Sequence, residues 1–305
     1  MYSLVAVAIG FATINNILLH ILGGRKYNAY LFNALISCMW IVCLAIFNGG
    51  WKGSSADTWV YGFVYGLTLT GFIFFKTMAM ASGPIALTVL IGCGSFIITG
   101  PFNALYWREK VGFFEVLGIV LMLASVFLIE YQPVPKGGKK ERLSLRWKIY
   151  CGFYFLFSAA TGILFRLHQY TDVAHTDEMM MLAAALSCVV LLAVYGVSAL
   201  FVAKRTVGRV ADERAQVCGR KGQIYVIGVA LACGVCSCVY GRLNIYNSGA
   251  LPGMLFAPIF NGGLVMASFI AGRLFFKEKS TVTQLIGVAV GILSLLAFSH
   301  FFGLL

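Results

Sequence analysis

The most constraining feature of this chain is a stretch it uses twice. The first copy begins Ser82-Gly83-Pro84-Ile85-Ala86-Leu87 and runs through Trp107-Arg108-Glu109-Lys110 to Gly118 and Ser125. The second begins Ser248-Gly249-Ala250-Leu251-Pro252 and runs through Phe276-Lys277-Glu278-Lys279 to Gly287 and Ser294. Glu109 answers to Glu278, Lys110 to Lys279, Gly118 to Gly287 and Ser125 to Ser294 at one constant offset. The opening Ser-Gly pairs match with a slip of three residues. A period near half the chain length means one structural unit written twice.

Composition settles the solvent. Charged residues make up 11% of the 305 residues and apolar residues 60%, with mean hydropathy +0.88. Soluble domains carry about 25% charge, so this chain belongs in a bilayer. A spanning helix needs ~20 mostly apolar residues. Ten stretches meet that rule: 2–22, 27–48, 58–81, 84–106, 111–131, 147–170, 177–202, 223–246, 252–275 and 280–301. The opening run has no basic start and no small-residue cleavage site, so it is expected to remain as a helix. Helices three to five match helices eight to ten. A fainter match, Asn16-Ile17-Leu18-Leu19-His20 against Gly162-Ile163-Leu164-Phe165-Arg166, joins one to six.

Five helices is an odd number, so the second copy enters the membrane from the opposite face. The expected fold is an all-α membrane protein of ten transmembrane helices in two inverted five-helix repeats. The repeats cover 1–131 and 147–305, with a basic linker at 132–146 made flexible by Pro133, Pro135, Gly137 and Gly138. Seventeen basic residues fall on the face reached after helix one, including Arg25, Lys26 and clusters at 136–148 and 204–221. The other face carries Lys52, Arg108 and Lys110. The positive-inside rule then places the heavy face in the cytoplasm and both termini outside the plasma membrane. The net charge of +12 reads as orientation and contact with anionic lipids, not nucleic-acid binding.

Little points to catalysis or a cofactor. Nine cysteines, nearly all inside apolar runs, are no disulfide framework. Cys233, Cys236 and Cys238 lie mid-helix without a neighbouring histidine, where cysteine packs as a small residue. His20, His168, His175 and His300 show no metal-ligand spacing, and no Ser/His/Asp set is apparent. Neither catalytic residues, a metal nor a cofactor are expected.

Two motif sets carry a resemblance. Phe75-Lys76-Thr77-Met78-Ala79-Met80 leads to Ser82-Gly83-Pro84, and an acidic-basic pair closes helices four and nine. In the second copy Tyr240-Gly241-Arg242-Leu243-Asn244 leads to Ser248-Gly249, followed by Ala257-Pro258-Ile259-Phe260-Asn261. With ten helices in two inverted halves, the chain resembles the drug/metabolite transporter superfamily, in particular its EamA-type permeases. The resemblance implies a central cavity between the halves, reached alternately from either face by rocking. No Walker-type glycine loop is present, so a secondary carrier is expected, with a coupling proton or ion left open. Members of that superfamily commonly keep both termini in the cytoplasm; the charges here argue the reverse.

Polar residues inside apolar helices are the candidate site. Lys76, Arg166 and Arg242 lie within helices, where a charge costs ~2.5 kcal/mol or more at the centre. Lys76 and Arg242 hold the same place in their repeats, as do His20 and Arg166 in the fainter match. The spacing separates Lys76 and Arg242 by about half the membrane. They are expected to furnish matched vestibules or gates, His20 with Lys76 inside and Arg166 with Arg242 outside. The competing readings are snorkelling to the headgroups and structural ion pairing.

Asn15, Asn16, Asn103 and Asn261 are candidates to contact a neutral polar solute, since asparagine both donates and accepts. Interhelical hydrogen bonding is their competing role. Trp40, Tyr65, Tyr154 and Tyr240 are candidates for an aromatic cage around a cation. No carboxylate reads as mid-membrane, which counts against a proton-coupled exporter of organic cations, the alternative function. The expected cargo is a small polar metabolite, zwitterionic or anionic by a slight margin. The sequence leaves oligomeric state open.

Overall fold

The computed structural model describes residues 2–22, 27–82, 88, 91–109, 112–130, 144–205, 220–276 and 281–301. Among them there is no strand. Ten helices have defined bounds: α1 Tyr2–Ile21, α2 Ala29–Asn48, α3 Ala56–Ser82, α4 Phe96–Tyr106, α5 Phe113–Glu130, α6 Leu145–Thr171, α7 Thr176–Arg205, α8 Arg220–Ala250, α9 Gly253–Phe276 and α10 Val282–Phe301. A 3-10 turn, Val173–His175, joins α6 to α7. Arg25, Lys26, Lys110, Glu278, Lys279, most of the central linker and residues 206–219 lie outside the described residues. So do residues 83–87, at the start of the first repeat copy.

Seven of these helices, α1 to α3 and α6 to α9, are long and apolar enough to cross a membrane. Among the described residues α5 and α10 contain the shorter apolar helices Phe113–Ile129 and Val282–Ala297. The fourth expected helix, 84–106, is not continuous where it is described. A turn at Gly94 and Ser95 interrupts it, leaving α4 with 11 residues.

Helix ends follow local chemistry. The Asn28 side chain accepts from the backbone N–H groups of Tyr30 and Leu31 to start α2, and Ser144 accepts from Trp147 to start α6. Gly49 takes φ 70° to stop α2. Thr281 and Gln284 cap α10 reciprocally, each side chain accepting from the other's backbone N–H. The sequence expectation ends the eighth helix at residue 246, but α8 continues to Ala250. There Ser248 Oγ donates back to the Ile245 carbonyl at 2.6 Å, and the break falls instead at Leu251-Pro252, where proline removes a donor.

Helices from the two halves interleave. α1 packs on α8 and α9, α2 on α7 and α8, and α3 on α6 and α7. α4 packs on α9 and α6, and α5 on α10 and α9. In a bilayer apolar burial gives helices little reason to associate, so contacts are made where small residues let backbones approach. Gly62 and Gly66 of α3 lie against Leu182 and Leu186 of α7. Gly287 of α10 lies so close to α5 that a β-carbon there would sit 2.9 Å from the backbone nitrogen of Ile129. Along the same seam Ser125 Oγ donates to the Gly287 carbonyl and Ser294 Oγ to the Gly118 carbonyl, both at 2.7 Å.

Candidate functional site

Four connections gather at one end of the bundle and are tied by carboxylates. Asp172, in the turn after α6, accepts from Ser55 and Thr58 at the start of α3, each at 2.6 Å, and pairs with His175 at 2.7 Å. Burial by itself would raise the Asp172 pKa; the hydrogen bonds from Ser55, Thr58 and His175, with the histidine's charge, outweigh it and hold the group down to about 2. Glu178 of α7 accepts from the Asn48 side chain at 2.6 Å and from the Lys52 backbone at 3.2 Å.

Arg166 and Arg242 sit at this same end, and each has a carboxylate. Arg242 reaches Asp177 through two hydrogen bonds of 2.7 Å, with its side chain 47% exposed. Arg166 is 3% exposed and pairs with Glu109. The guanidinium also lies 4.7 Å over the Trp107 ring and 5.6 Å from that of Tyr170. Glu109 accepts from the Gly253 backbone at 3.0 Å, at the N-terminus of α9. Arg108 holds φ 51°, a left-handed conformation rare for a residue with a β-carbon, and that turn swings Glu109 back toward Arg166. At Gly253 a β-carbon would meet Arg166 Nη1 at 1.8 Å, so only glycine lets α9 approach the pair. The two arginines expected to display charge in an outer vestibule are therefore neutralised. Glu109 and Asp177, read from sequence as helix-end carboxylates, are their partners.

A cavity of about 450 Å³ opens beside this latch, lined by Leu4, Asn48, Gln169, Ala174, Thr176, Asp177, Arg242, Leu243 and Tyr246. Deeper in, several buried polar atoms have no hydrogen-bond partner. Thr99 Oγ1 and Asn103 Oδ1 on one face of α4 lie with Arg166 Nε at the α4–α6 interface. Both ring nitrogens of fully buried His168, Asn15 Oδ1, Asn244 Oδ1 and both amide atoms of Asn247 are in the same condition. Such groups call for water or ligand. Thr99, His168 and Asn247 were not singled out in the sequence, because a polar residue in an apolar run does not announce whether its partner is present.

The asparagines divide. Asn16 is exposed and donates to Ser268 of α9 at 2.9 Å, an interhelical bond. Asn103 donates to the Gly253 carbonyl at 3.4 Å and belongs to the Arg166 cluster. Asn261 is half-buried on α9. No two of the four candidate cage aromatics have their rings in contact with each other. Trp40 donates to Ser237 Oγ at 2.7 Å, and with Tyr65 it sits in a methionine-filled core beside Met179, Met180 and Met181. Tyr154 is wedged against Gly92, and Tyr240 stacks on Phe260 with centroids 6.5 Å apart. Tyr240 stays within electrostatic reach of both Tyr65 and Tyr154.

His20 is exposed at the end of α1. Lys76 differs from the two arginines. Half-buried on α3, it has the Phe72 ring at 5.7 Å as its cation–π neighbour and no carboxylate in bonding range among the described residues. Phe72 in turn lies against Tyr154, with centroids 5.1 Å apart.

No family model matches the sequence, and no match among curated proteins was found. A crystal structure of a protein whose description gives no activity shares the fold, with TM-score 0.72 over 98% of this chain and 96% of that one, at 14% identity. Identity that low carries the fold alone.

Proposed function

We propose that this chain is a secondary carrier of the drug/metabolite transporter superfamily, EamA type, which moves a small polar metabolite across the plasma membrane by alternating access. The observation that carries the reading is how the helix contacts behave when each helix is exchanged with the one five places on. Under that exchange α1–α8 becomes α6–α3, α2–α8 becomes α7–α3, and α1–α9 becomes α6–α4. The pairs α2–α7, α4–α9 and α5–α10 map onto themselves. The serine bonds of the α5–α10 seam exchange in the same way, at the sequence offset that pairs Ser125 with Ser294. Paired inverted halves around a shared interface are how carriers of this architecture are built.

Not every interface obeys the exchange among the described residues. α5–α9 has no comparable α10–α4 counterpart, and α6–α8, where Gln169 lies against Gly249, has no comparable α1–α3 counterpart. A bundle tied together at the end held by Glu109 and Asp177, and unmatched at the other, is read here as one state of an alternating pair. By the charge rule the latched end faces outside and the basic end the cytoplasm. The alternative, an exporter of organic cations, needs a carboxylate free to exchange a proton. Asp172, Asp177 and Glu109 are each held by a basic partner, whereas buried Glu178 is held by neutral donors from Asn48 and the Lys52 backbone.

Reconstitution tests this. Full-length protein in proteoliposomes should exchange at least one radiolabelled solute from a panel of amino acids, organic acids and nucleosides. A Gln169→Cys/Gly249→Cys pair, oxidised across the latched end, should stop that exchange and reduction restore it. Exchange that continues through the oxidised pair would rule out alternating access at this end.

A further inference from the structure

Of the two arginine–carboxylate pairs, one is sealed and one borders a cavity. Arg166 is sealed: its Nη1 donates to the Leu251 carbonyl at 3.4 Å, its Nη2 reaches Glu109, and the Trp107 ring lies against its face. Arg242 has the reverse setting. It commits Nε and Nη2 to the two oxygens of Asp177, and among the described residues Nη1 bonds nothing. Its side chain is half exposed, whereas that of Asp177 is 9% exposed. Both residues line the cavity of about 450 Å³. That volume lies within the ~300–1,000 Å³ of sites for small molecules. The rest of the wall divides by chemistry. Leu4, Leu243 and Tyr246 supply apolar surface, and Gln169 adds a neutral amide, which donates to Thr176 Oγ1 at 3.2 Å.

Arg242 and Asp177 supply the only formal charges in that wall among the described residues. Glu178, the next residue along α7, is not part of it and is bound by Asn48 and the Lys52 backbone. The wall is therefore neutral overall but strongly dipolar, with a cation and an anion in hydrogen-bond contact. A lone anion placed on Arg242 meets Asp177 beside it, and a lone cation placed on Asp177 meets Arg242. Each gains one attraction and one repulsion of similar length, which nearly cancel. A solute carrying both charges escapes this. Its carboxylate takes the two N–H groups of Arg242 Nη1, its ammonium takes the remaining lone pairs of Asp177, and four charges then alternate around a ring. The two charges of the wall are neighbours, so those of the solute must be neighbours too, as they are on a single carbon. We infer that this cavity binds a zwitterion with adjacent ammonium and carboxylate groups, whose side chain lies against Leu4, Leu243 and Tyr246. The inference rests on the carrier reading for any role in transport, but the binding site can be tested alone.

The test uses full-length protein in nanodiscs, at a pH below the ~7.7 pKa of an α-amino group. Two matched sets serve as probes: leucine, leucinamide and 4-methylpentanoate; phenylalanine, phenylalaninamide and 3-phenylpropionate. Affinity is read by titration for wild type, Arg242→Gln and Asp177→Asn. At least one amino acid should bind wild type about tenfold tighter than either of its singly charged analogues. Arg242→Gln should shift the preference toward the amide and Asp177→Asn toward the acid, a change of order that misfolding cannot imitate. Leu243→Trp, which fills the cavity and keeps the ion pair, should abolish binding. The inference is overturned if a singly charged analogue binds wild type as tightly as its amino acid, if either charge variant keeps the wild-type order, if Leu243→Trp binds like wild type, or if neither amino acid binds. Proteoliposome exchange separates this result from the carrier reading. An amino acid that binds through Arg242 and Asp177 without being moved upholds the site and fells the carrier. A solute moved by a wild type that binds neither amino acid does the opposite.

Discussion

Arg242 meets Asp177 through two parallel hydrogen bonds of 2.7 Å, yet nearly half of the arginine side chain remains exposed. Arg166 meets Glu109 with its guanidinium sealed between Trp107 and Tyr170. The same chemistry in two settings has different energetic weight. An exposed pair is worth ~0–1 kcal/mol, whereas breaking a buried one from one side costs ~3–5 kcal/mol. Glu109→Gln should therefore lower thermal stability far more than Asp177→Asn. The Glu109→Gln/Arg166→Gln double variant should recover part of the loss, because it removes the stranded charge. Unfolding scans of the four proteins in one detergent check this, and equal losses would show that Arg166 is better hydrated than its burial indicates.

The left-handed turn at Arg108 is a local cost that positions Glu109. Arg108→Gly should relieve backbone strain of ~1 kcal/mol and raise the unfolding temperature if Glu109 keeps its place. A fall would mean that the arginine side chain itself holds the turn.

Asp172 sets an acid limit. Its folded-state pKa of about 2 lies below the ordinary 3.8, so its bonds to Ser55, Thr58 and His175 add stability that is fully present above about pH 4. That stability is lost as pH falls from about 4 through about 2. Wild type should lose unfolding temperature across this window, and Asp172→Asn should lose less over the same range. A parallel fall in both would place the acid sensitivity elsewhere.

Close packing at the α5–α10 seam gives a further test. Gly287→Leu pushes side-chain atoms into the Ile129 backbone and should destabilise by ~1–3 kcal/mol. Ser125→Ala removes one interhelical hydrogen bond, worth ~0.6 kcal/mol on average. Ser294→Ala should match it closely, given the equal geometry of the two bonds. Unequal losses would argue that the two ends of the seam are differently packed.

Orientation is checked by reporter fusions. Alkaline phosphatase at either terminus should be active and green fluorescent protein dark, since both termini are expected outside. The reverse pattern would put the latched end in the cytoplasm.

What the sequence could show followed from what pattern encodes. Apolar length anticipated the order of the helices, because it is a one-dimensional signal. The break at Gly94 and Ser95 was hidden inside an apolar run, where hydropathy is blind to backbone geometry. Arg166 and Arg242 were legible as expensive groups, but their partners were not. Glu109 lies 57 residues from Arg166 and Asp177 65 from Arg242, and only folding brings them within reach. Trp40 and Tyr65 show the same limit of pattern: an aromatic residue reads alike whether methionines fill the space beside it or leave it open.

For the carrier proposed above, the serines of the α5–α10 seam bear on where the bundle would store its motion. Bonds that interchange when the halves are exchanged lie astride the axis of that exchange, where a rotation displaces atoms least. Ser125 and Ser294 can then keep their 2.7 Å bonds throughout a transport cycle. The seam would act as a fulcrum, with α6 and α8 on its long lever arm. A small turn at the fulcrum becomes a large opening at the Gln169–Gly249 contact, so stiffness at two glycines and two serines would govern how far the mouths travel.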